Sequence, residues 1–234
     1  MTSSRTAPKG TLALIGGGEW GEHHQKLDRR LLELAGTTDV LVLPTAAAFE
    51  HPDRVGERAE AHFAPLGAKV RTLRVLNRRD ASDPEAVAKV EKAKFVYLAD
   101  GSPMHLRSVL KGSPIYEAML AAYGAGAVIA ASGAGATVLC DPMVDPRGGA
   151  YTVGLGFVGG LAVFPYHGSA ADHMKQRSIE LRPKEAVLVG IDSETALVRE
   201  PAPTWSVAGA GVVTVYNGES VTTYAAGAEG LPLP

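Results

Sequence analysis

Residues 128–136 read VIAASGAGA, and this stretch decides how the rest of the chain is interpreted. An apolar run leads directly into a cluster of very small residues, and a helical segment to about Cys140 follows. This order is typical of a nucleophile elbow, in which a strand, a sharp turn and a helix present a reactive side chain to a cleft. An elbow normally carries Ser or Cys at its tip. Here the tip falls on Gly133, and the only hydroxyl of the turn belongs to the preceding Ser132.

Short apolar runs alternate with amphipathic stretches through the first two thirds of the chain. Strands are predicted at residues 11–15, 40–43, 70–73, 95–98 and 128–131. Repeated strand–helix alternation implies right-handed crossovers and a mainly parallel sheet with helices on both faces, which is a three-layer αβα fold of the α/β class. Sites in such sheets form at the carboxyl ends of strands. Three loops that contain glycine follow predicted strands, at residues 16–18, 100–102 and 132–135.

The last third of the chain has a different pattern. Short β-like runs separated by turn residues replace the alternation of strands and helices. These runs lie at residues 150–153, 161–164, 187–191, 195–199, 205–207, 211–215 and 221–224. One helix, at about residues 171–181, interrupts them, and Asn217-Gly218 is a hairpin signal. We expect these extra C-terminal strands to extend the sheet and to add a β-ribbon. The whole chain, residues 1–234, is interpreted as one domain with a loose tail at 1–9 and an irregular C-terminus at 225–234.

Composition narrows the classes of function. The formal net charge of −2 over 234 residues gives no reason to expect nucleic acid or a membrane surface as partner. Cys140 is the only cysteine, which excludes an internal disulfide and fits a reducing, cytoplasmic compartment. The pair His23-His24 has no second ligand group at a diagnostic spacing, so no metal or cofactor is expected.

A series of motifs runs along the chain in a definite order. They are LIGGGE at residues 14–19, VLPTAA at 42–47, VYLADGS at 96–102, the elbow followed by Asp141-Pro142-Met143, and GIDSETALV at 190–198. Their order and spacing together resemble the cyanophycinase and dipeptidase E family of serine peptidases. The resemblance implies a class I glutamine-amidotransferase-like fold and a peptidase, that is, a hydrolase acting in proteolysis.

The resemblance also assigns the catalytic positions. The family's elbow reads Gly-Thr-Ser-Ala-Gly-Ala and aligns with residues 131–136, so its nucleophilic serine falls on Gly133. The family's catalytic histidine falls on His167. Its acid position falls on Ser193, with Glu194 directly beside it. The nucleophile and the acid therefore depart from the family pattern, while the histidine is retained.

The loop before the elbow is altered as well. Where the family has Gly-Gly-Asp-Gln or Gly-Gly-Gly-Asn, residues 100–103 read DGSP and retain only Gly101. The resemblance implies that this loop supplies an oxyanion donor and substrate contacts, which makes Gly101 and Ser102 candidates. The N–H of Ala134 is the candidate second donor, and Glu19, after the first glycine turn, is a candidate wall residue.

Two interpretations of function remain open. Glycine at the elbow tip removes a backbone strain of about 1–3 kcal/mol, so Gly133 favours a catalytically degenerate homologue, a pseudoenzyme. Such a protein would keep a cleft for a small peptide, an amino-acid-like ligand or a partner protein. The alternative is an active serine-type peptidase on small or acidic peptides that uses Ser132 with His167 and Glu194. A residue before the tip points to the opposite face, which counts against Ser132.

An elbow of this kind has two expected geometric features. We expect Gly133 to adopt a positive φ at the turn, and the N–H of Ala134 to face a cleft that also contains His167. The sequence leaves a homodimer open.

Overall fold

A computed structural model describes residues 10–234, and the predicted loose tail at residues 1–9 lies outside the described residues. The strands are β1 (Thr11–Ile15), β2 (Asp39–Leu43), β3 (Lys69–Thr72), β4 (Phe95–Leu98), β5 (Val128–Ser132), β6 (Cys140–Asp141), β7 (Met143–Val144), β8 (Tyr151–Thr152), β9 (Val158–Gly159), β10 (Leu161–Phe164), β11 (Val187–Ile191), β12 (Thr195–Arg199), β13 (Ser206–Gly209), β14 (Val212–Asn217) and β15 (Ser220–Ala225). The α-helices are α1 (His24–Ala35), α2 (Pro52–Phe63), α3 (Pro84–Lys92), α4 (Pro103–Leu110), α5 (Pro114–Gly124), α6 (Ala134–Leu139) and α7 (Asp172–Glu180).

The central sheet has seven strands in the order β13-β12-β1-β5-β4-β2-β3. Five of them, β1 to β5, run parallel, while β12 pairs antiparallel with β1 and β13 antiparallel with β12. The predicted α/β class with a mainly parallel sheet is therefore confirmed. The strands β12 and β13 extend this sheet, which agrees with the extension predicted from the β-like runs of the C-terminal third.

Both faces of the sheet are covered. Side chains of α1 and α2, including Leu31 and Phe63, form one core with alternate residues of β1 such as Ile15. Side chains of α3 to α6, including Leu110, pack on the other face, which Leu14 of β1 contacts. Strands buried on both faces become continuous apolar runs, which is why β1 and β5 lack the alternation of a half-exposed strand. The result is three layers, αβα.

Capping residues and prolines in the sequence determine where several helices begin. The side chain of Asp83 accepts hydrogen bonds from the N–H groups of Glu85 and Ala86, and so caps α3. Ser113 caps α5 in the same way, through the N–H of Tyr116. Proline is the first residue of α2 to α5, where its missing N–H and fixed φ cost nothing.

The remaining C-terminal strands form a second sheet rather than a simple ribbon. Its order is β10-β11-β14-β15, and β14 and β15 form a hairpin in which Asn217 pairs with Ser220 across a turn that contains Gly218. Two further two-stranded pairs, β6 with β9 and β7 with β8, lie between the elbow helix and this sheet in the chain. Val189 and Val213 of the second sheet belong to the same core as α6, so this sheet packs beside the elbow.

The C-terminus is held by Trp205. Its ring is almost fully buried, its indole N–H donates to the carbonyl of Pro234 at 3.0 Å, and the guanidinium of Arg199 lies 4.7 Å from the ring centroid. Leu231 forms an isolated antiparallel bridge with Trp205. Leu231 is thus buried against Trp205, while most of its neighbours in residues 226–234 are exposed, and Ala225 is the last residue of β15. Within residues 10–234, no helix combines the length and the apolar character needed to cross a bilayer.

Candidate functional site at the elbow

Three loops meet at the carboxyl edge of the central sheet. They follow β1, β4 and β5, and these strands are adjacent because β5 lies between the other two. The loops are residues 16–18, 100–102 and 132–135, the same three that the strand pattern singled out. The fold thus places the first loop beside the third, although the two are more than a hundred residues apart in the chain.

The elbow has the predicted conformation. Gly133 joins β5 to α6 with φ 47° and ψ −101°, so the predicted positive φ is confirmed. Its N–H donates to the carbonyl of Ile15 at 2.9 Å, and its carbonyl accepts from the N–H of Thr137 at 3.1 Å. These bonds tie the turn to β1 on one side and to α6 on the other.

A carboxylate lies on the elbow tip where a nucleophile would stand. A Cβ built on Gly133 would lie 2.2 Å from Cγ of Asp100, closer than any real contact. Oδ1 of Asp100 accepts two backbone hydrogen bonds, from the N–H groups of Gly101 and Ala134, each at 2.7 Å. These are the two candidate oxyanion donors, and they converge on one oxygen as such donors do. The chain's own carboxylate therefore fills this position.

Tyr166 holds the other oxygen of Asp100. Its hydroxyl donates to Oδ2 of Asp100 and accepts from the N–H of Gly18 at 3.4 Å. The ring lies against Gly17, where an added Cβ would be 2.1 Å from the ring carbon Cζ. Burial raises the pKa of the Tyr166 hydroxyl, and its hydrogen bond to Asp100 acts in the same direction. The phenol consequently stays protonated and remains a donor over the physiological range.

Ser132 faces the interior rather than the cleft. Its side chain is buried, and its hydroxyl donates to Oε2 of Glu19 at 2.7 Å. Oε1 of Glu19 accepts from the N–H of Asp100 at 3.3 Å. The buried Glu19 thus connects the first loop to the other two by hydrogen bonds, and the hydroxyl of Ser132 makes one of these bonds. This agrees with the opposite-face argument drawn from the register.

His167 is held in a different environment. Its Nε2 lies 2.9 Å from the hydroxyl of Tyr216 on β14, and its ring packs against Gly190 of β11. Burial lowers the pKa of His167, while the nearby Asp192 opposes that shift. The structure therefore does not bring His167 and Ser132 into hydrogen-bonding contact. The expectation that the cleft beside Ala134 contains His167 is not met, because Tyr166 takes that side of the cleft.

The carboxylate nearest to His167 is Asp192, which the motif comparison missed. Oδ1 of Asp192 lies 3.9 Å from Nδ1 of His167. Glu194 instead accepts from the N–H of His23 at 2.8 Å, and the carbonyl of Ser193 accepts from a threonine hydroxyl in the same turn. The available signal was the aspartate of the Gly-Ile-Asp motif itself, one residue before the position that the family assigns.

Ser102 and Gly101 have clear structural roles. The hydroxyl of Ser102 caps α4 by accepting from the N–H of His105 at 3.3 Å. Gly101 has φ 145°, and a Cβ there would lie 2.5 Å from the carbonyl oxygen of Ala46. Only glycine fits this close approach, which lets its N–H point at Asp100.

A small depression opens beside Asp100 and is called the elbow cleft below. It encloses about 300 Å³. It is lined by Asp100, Gly101, Pro103, Ala134, Thr137, Val144, Asp145, Pro146, Phe164, Pro165, Tyr166, Ala170, Ala171 and Met174. A larger groove of about 600 Å³ borders β2, β3 and α3, but it lies away from the three loops. Among residues 10–234, no three or more His, Cys, Asp or Glu side chains are placed to hold a metal ion.

The sheet, the elbow and the converging N–H donors define the scaffold of an α/β peptidase. The model of peptidase family S51 matches residues 12–201, and the chain belongs to this family. This confirms the resemblance to the cyanophycinase and dipeptidase E family. The catalytic roles of Ser132, His167 and Glu194 stay predictions.

Individual relatives agree with the family match. The chain is 25% identical over 227 residues to a cyanophycinase of Geminocystis herdmanii (strain PCC 6308), covering 92% of this chain and 83% of that protein. A cyanophycinase of Synechococcus elongatus is 25% identical over 238 residues, with 96% of this chain and 74% of that protein covered. Both alignments span nearly the whole chain.

Solved structures share the fold. A crystal structure of a peptidase from an acI-B1 Actinobacterium superposes with a TM-score of 0.86 at 28% identity, covering 95% of this chain and 97% of that one. A putative peptidase E protein from Listeria monocytogenes EGD-e has a TM-score of 0.62 at 18% identity, covering 92% and 98%. The second likeness bears on the fold alone.

Proposed function

We propose that this protein is a catalytically degenerate member of peptidase family S51 whose elbow cleft binds a small peptide or amino-acid-like ligand. The observation that carries the proposal is the carboxylate of Asp100, which rests on Gly133 and accepts both converging N–H donors. A protein of this kind would have kept the scaffold of a peptidase and lost its nucleophile.

The chemistry of acyl transfer supports this proposal. A serine peptidase needs a nucleophile at the elbow and unoccupied N–H donors for the developing oxyanion. Gly133 supplies no nucleophile. The donors of Gly101 and Ala134 already bind an anion, and charge-assisted hydrogen bonds are roughly twice as strong as neutral ones. A substrate carbonyl, being neutral, would have to displace the carboxylate of Asp100.

The alternative, an active peptidase that uses Ser132 with His167 and Glu194, needs several rearrangements. The hydroxyl of Ser132 would have to leave Glu19 and turn out of the interior. His167 would have to leave Tyr216 and reach the elbow. Each change breaks a hydrogen bond, and the first also moves a buried polar group, so the geometry favours the degenerate interpretation.

Labelling with a fluorophosphonate serine probe tests the proposal together with two hydrolysis assays. The purified protein is incubated with the probe, with aspartyl dipeptides and with cyanophycin, and release of free amine is followed over hours. We expect neither labelling nor hydrolysis. The controls are the variant Ser132→Ala and the matched variant Ser108→Ala, whose serine is exposed on α4. Turnover or labelling that Ser132→Ala abolishes and Ser108→Ala retains would refute the proposal and identify Ser132 as nucleophile.

A further inference from the structure

We infer that the elbow cleft selects a primary ammonium ion carried on a compact apolar group, and that it rejects carboxylates. This inference rests on the proposed function, because it concerns what the cleft binds once it no longer catalyses. It assigns the chemical class of the ligand from the hydrogen bonds and charges around Asp100.

The hydrogen bonds of Asp100 leave one acceptor position. An ionised carboxylate offers about four lone-pair sites, two on each oxygen. Oδ1 accepts from the N–H groups of Gly101 and Ala134, and Oδ2 accepts from the hydroxyl of Tyr166. Among the described residues, these donors account for three sites. The fourth is on Oδ2 of a side chain that lines the cleft, so it is open to a donor from a ligand.

The charge of the cleft is set by the same side chain. Its charged lining residues are Asp100 and Asp145. Asp145 forms two side-chain hydrogen bonds with Arg147, from Nε at 2.9 Å and from Nη2 at 2.5 Å, so this pair is close to neutral. The neighbouring Glu19, which accepts from the N–H of Asp100, is also acidic and so contributes no positive charge near the cleft. A carboxylate ligand would therefore meet a like charge and would find the two N–H donors engaged.

The single acceptor position also distinguishes two kinds of cation. A guanidinium gains most from paired, parallel hydrogen bonds to both oxygens of a carboxylate. Both acceptor sites of Oδ1 are already used, which excludes that geometry at Asp100. An ammonium group needs only one acceptor from the protein and is the better match.

The walls define the rest of the ligand. They are apolar side chains from three separate segments, including Val144 of β7, Phe164 of β10 and Met174 of α7. A volume of about 300 Å³ is at the small end of ligand pockets. The cleft thus fits a body about the size of one apolar amino-acid side chain.

Three probes of one shape test this inference: 2-phenylethylamine, 2-phenylethanol and phenylacetate. They share a ring and a similar chain length and differ in the charge of the terminal group. We expect the amine to bind the wild-type protein at least about tenfold more tightly than the alcohol, since a hydrogen bond to a charged group is stronger than a neutral one, and phenylacetate to bind most weakly. The readout is calorimetric titration or ligand-observed NMR.

Two variants assign the selectivity to Asp100. Asp100→Asn removes the charge with little change of shape, and we expect it to bind the amine and the alcohol equally. Asp39→Asn makes the same substitution at the start of β2, at the opposite edge of the sheet, and should leave the preference intact. The guanidinium analogue 2-phenylethylguanidine should bind the wild type no more tightly than the amine.

The inference is overturned if phenylacetate binds as tightly as the amine, if none of the probes binds, if the guanidinium binds about tenfold more tightly than the amine, or if Asp100→Asn keeps the preference for the amine. Should Asp100→Asn fail to fold, the probe series on the wild-type protein still decides. These outcomes are separate from the fluorophosphonate and hydrolysis assays: loss of amine selectivity without labelling would leave the proposed function standing.

Discussion

Adding a single methyl group at Gly133 tests the arrangement of the elbow directly. In Gly133→Ala, the new Cβ would lie 2.2 Å from Cγ and Oδ2 and 2.3 Å from Oδ1 of Asp100. The carboxylate must therefore leave the position that it holds between Gly101 and Ala134. The substituted residue must also keep a positive φ, which alanine adopts only with strain.

The two effects can be given separate magnitudes. Backbone strain at a non-glycine residue costs about 1–3 kcal/mol. A hydrogen bond to a charged group contributes about 1.5–3 kcal/mol to stability, and two such bonds are lost when Asp100 moves. Asp100 is half-buried, so water recovers a large part of this loss, and we take about 2 kcal/mol as the net cost. Gly133→Ala should then lower the free energy of unfolding by about 3–5 kcal/mol.

A double-mutant cycle separates these effects. Asp100→Ala removes the three atoms that the new methyl group would strike. In that background, Gly133→Ala should cost only the backbone strain of about 1–3 kcal/mol. Urea denaturation of the wild type, both single variants and the double variant gives the coupling energy, which we expect to be about 2 kcal/mol. A coupling energy below about 0.5 kcal/mol would mean that the carboxylate does not occupy the elbow tip, and the interpretation of the site would fail with it.

Three further predictions concern residues away from the elbow tip. Burial lowers the pKa of His24 below its ordinary value of 6.5, partly offset by Asp28, so the folded state resists protonation of this ring. The stability contributed by neutral His24 is full above pH 6.5 and is lost as the pH falls through that value, because the unfolded chain takes up the proton first. His24→Gln should therefore give a flatter dependence of the urea midpoint on pH between about 7.5 and 5.5, and an unchanged slope would contradict this account. Trp205→Ala should reduce the free energy of unfolding by about 3–5 kcal/mol, as measured by urea denaturation, and a loss under about 1 kcal/mol would show that the C-terminus is not anchored by this ring. Burial raises the pKa of the Cys140 thiol, so iodoacetamide should label it only after urea unfolding; rapid labelling of the native protein would contradict its burial.

Much of the fold could be predicted from the sequence because its signals are local. The strands predicted at residues 11–15, 161–164, 187–191 and 195–199 have the bounds of β1, β10, β11 and β12. Each is an apolar run closed by turn residues, which is a pattern that a single segment carries by itself. The sequence signal for the elbow was equally local, since a strand followed by very small residues predicts a sharp turn without reference to any other segment.

Strand pairing was less accessible, for a physical reason. The pattern of a strand indicates which face is buried but does not name its neighbour. The sequence predicted extension of the sheet and a ribbon, while the structure divides the C-terminal strands between the central sheet and a second sheet of four strands. That division depends on how the strands pack beside α6, and the sequence of a single strand does not indicate this packing.

The site was harder still, because its decisive residue belongs to another loop. In the sequence, Asp100 is an aspartate in a turn after a strand, and aspartates are common at such positions, so nothing marks it as part of a site. Its position over Gly133 follows from the adjacency of β4 and β5, together with the hydrogen bond that Glu19 makes to its N–H. The family alignment placed the acid at Ser193, with Glu194 beside it, whereas the carboxylate 3.9 Å from His167 belongs to Asp192, one residue before the aligned position. A shift of one residue next to a strand changes the direction of the side chain, so an alignment by motif alone does not show which carboxylate lies beside the ring.

The carboxylate of Asp100 belongs to the residue next to one of the donors that it occupies, since its own neighbour Gly101 supplies that N–H. Even a short flexible linker gives a local concentration in the millimolar range, and a side chain on the residue next to the donor has far less freedom to leave. Dissolved carboxylates therefore compete against an internal one that is never diluted. Acidic compounds screened against the wild-type protein should therefore bind only weakly at the elbow, even though both N–H donors are intact. The same screen on Asp100→Ala would expose a latent anion receptor, and acetate alone should be enough to reveal it.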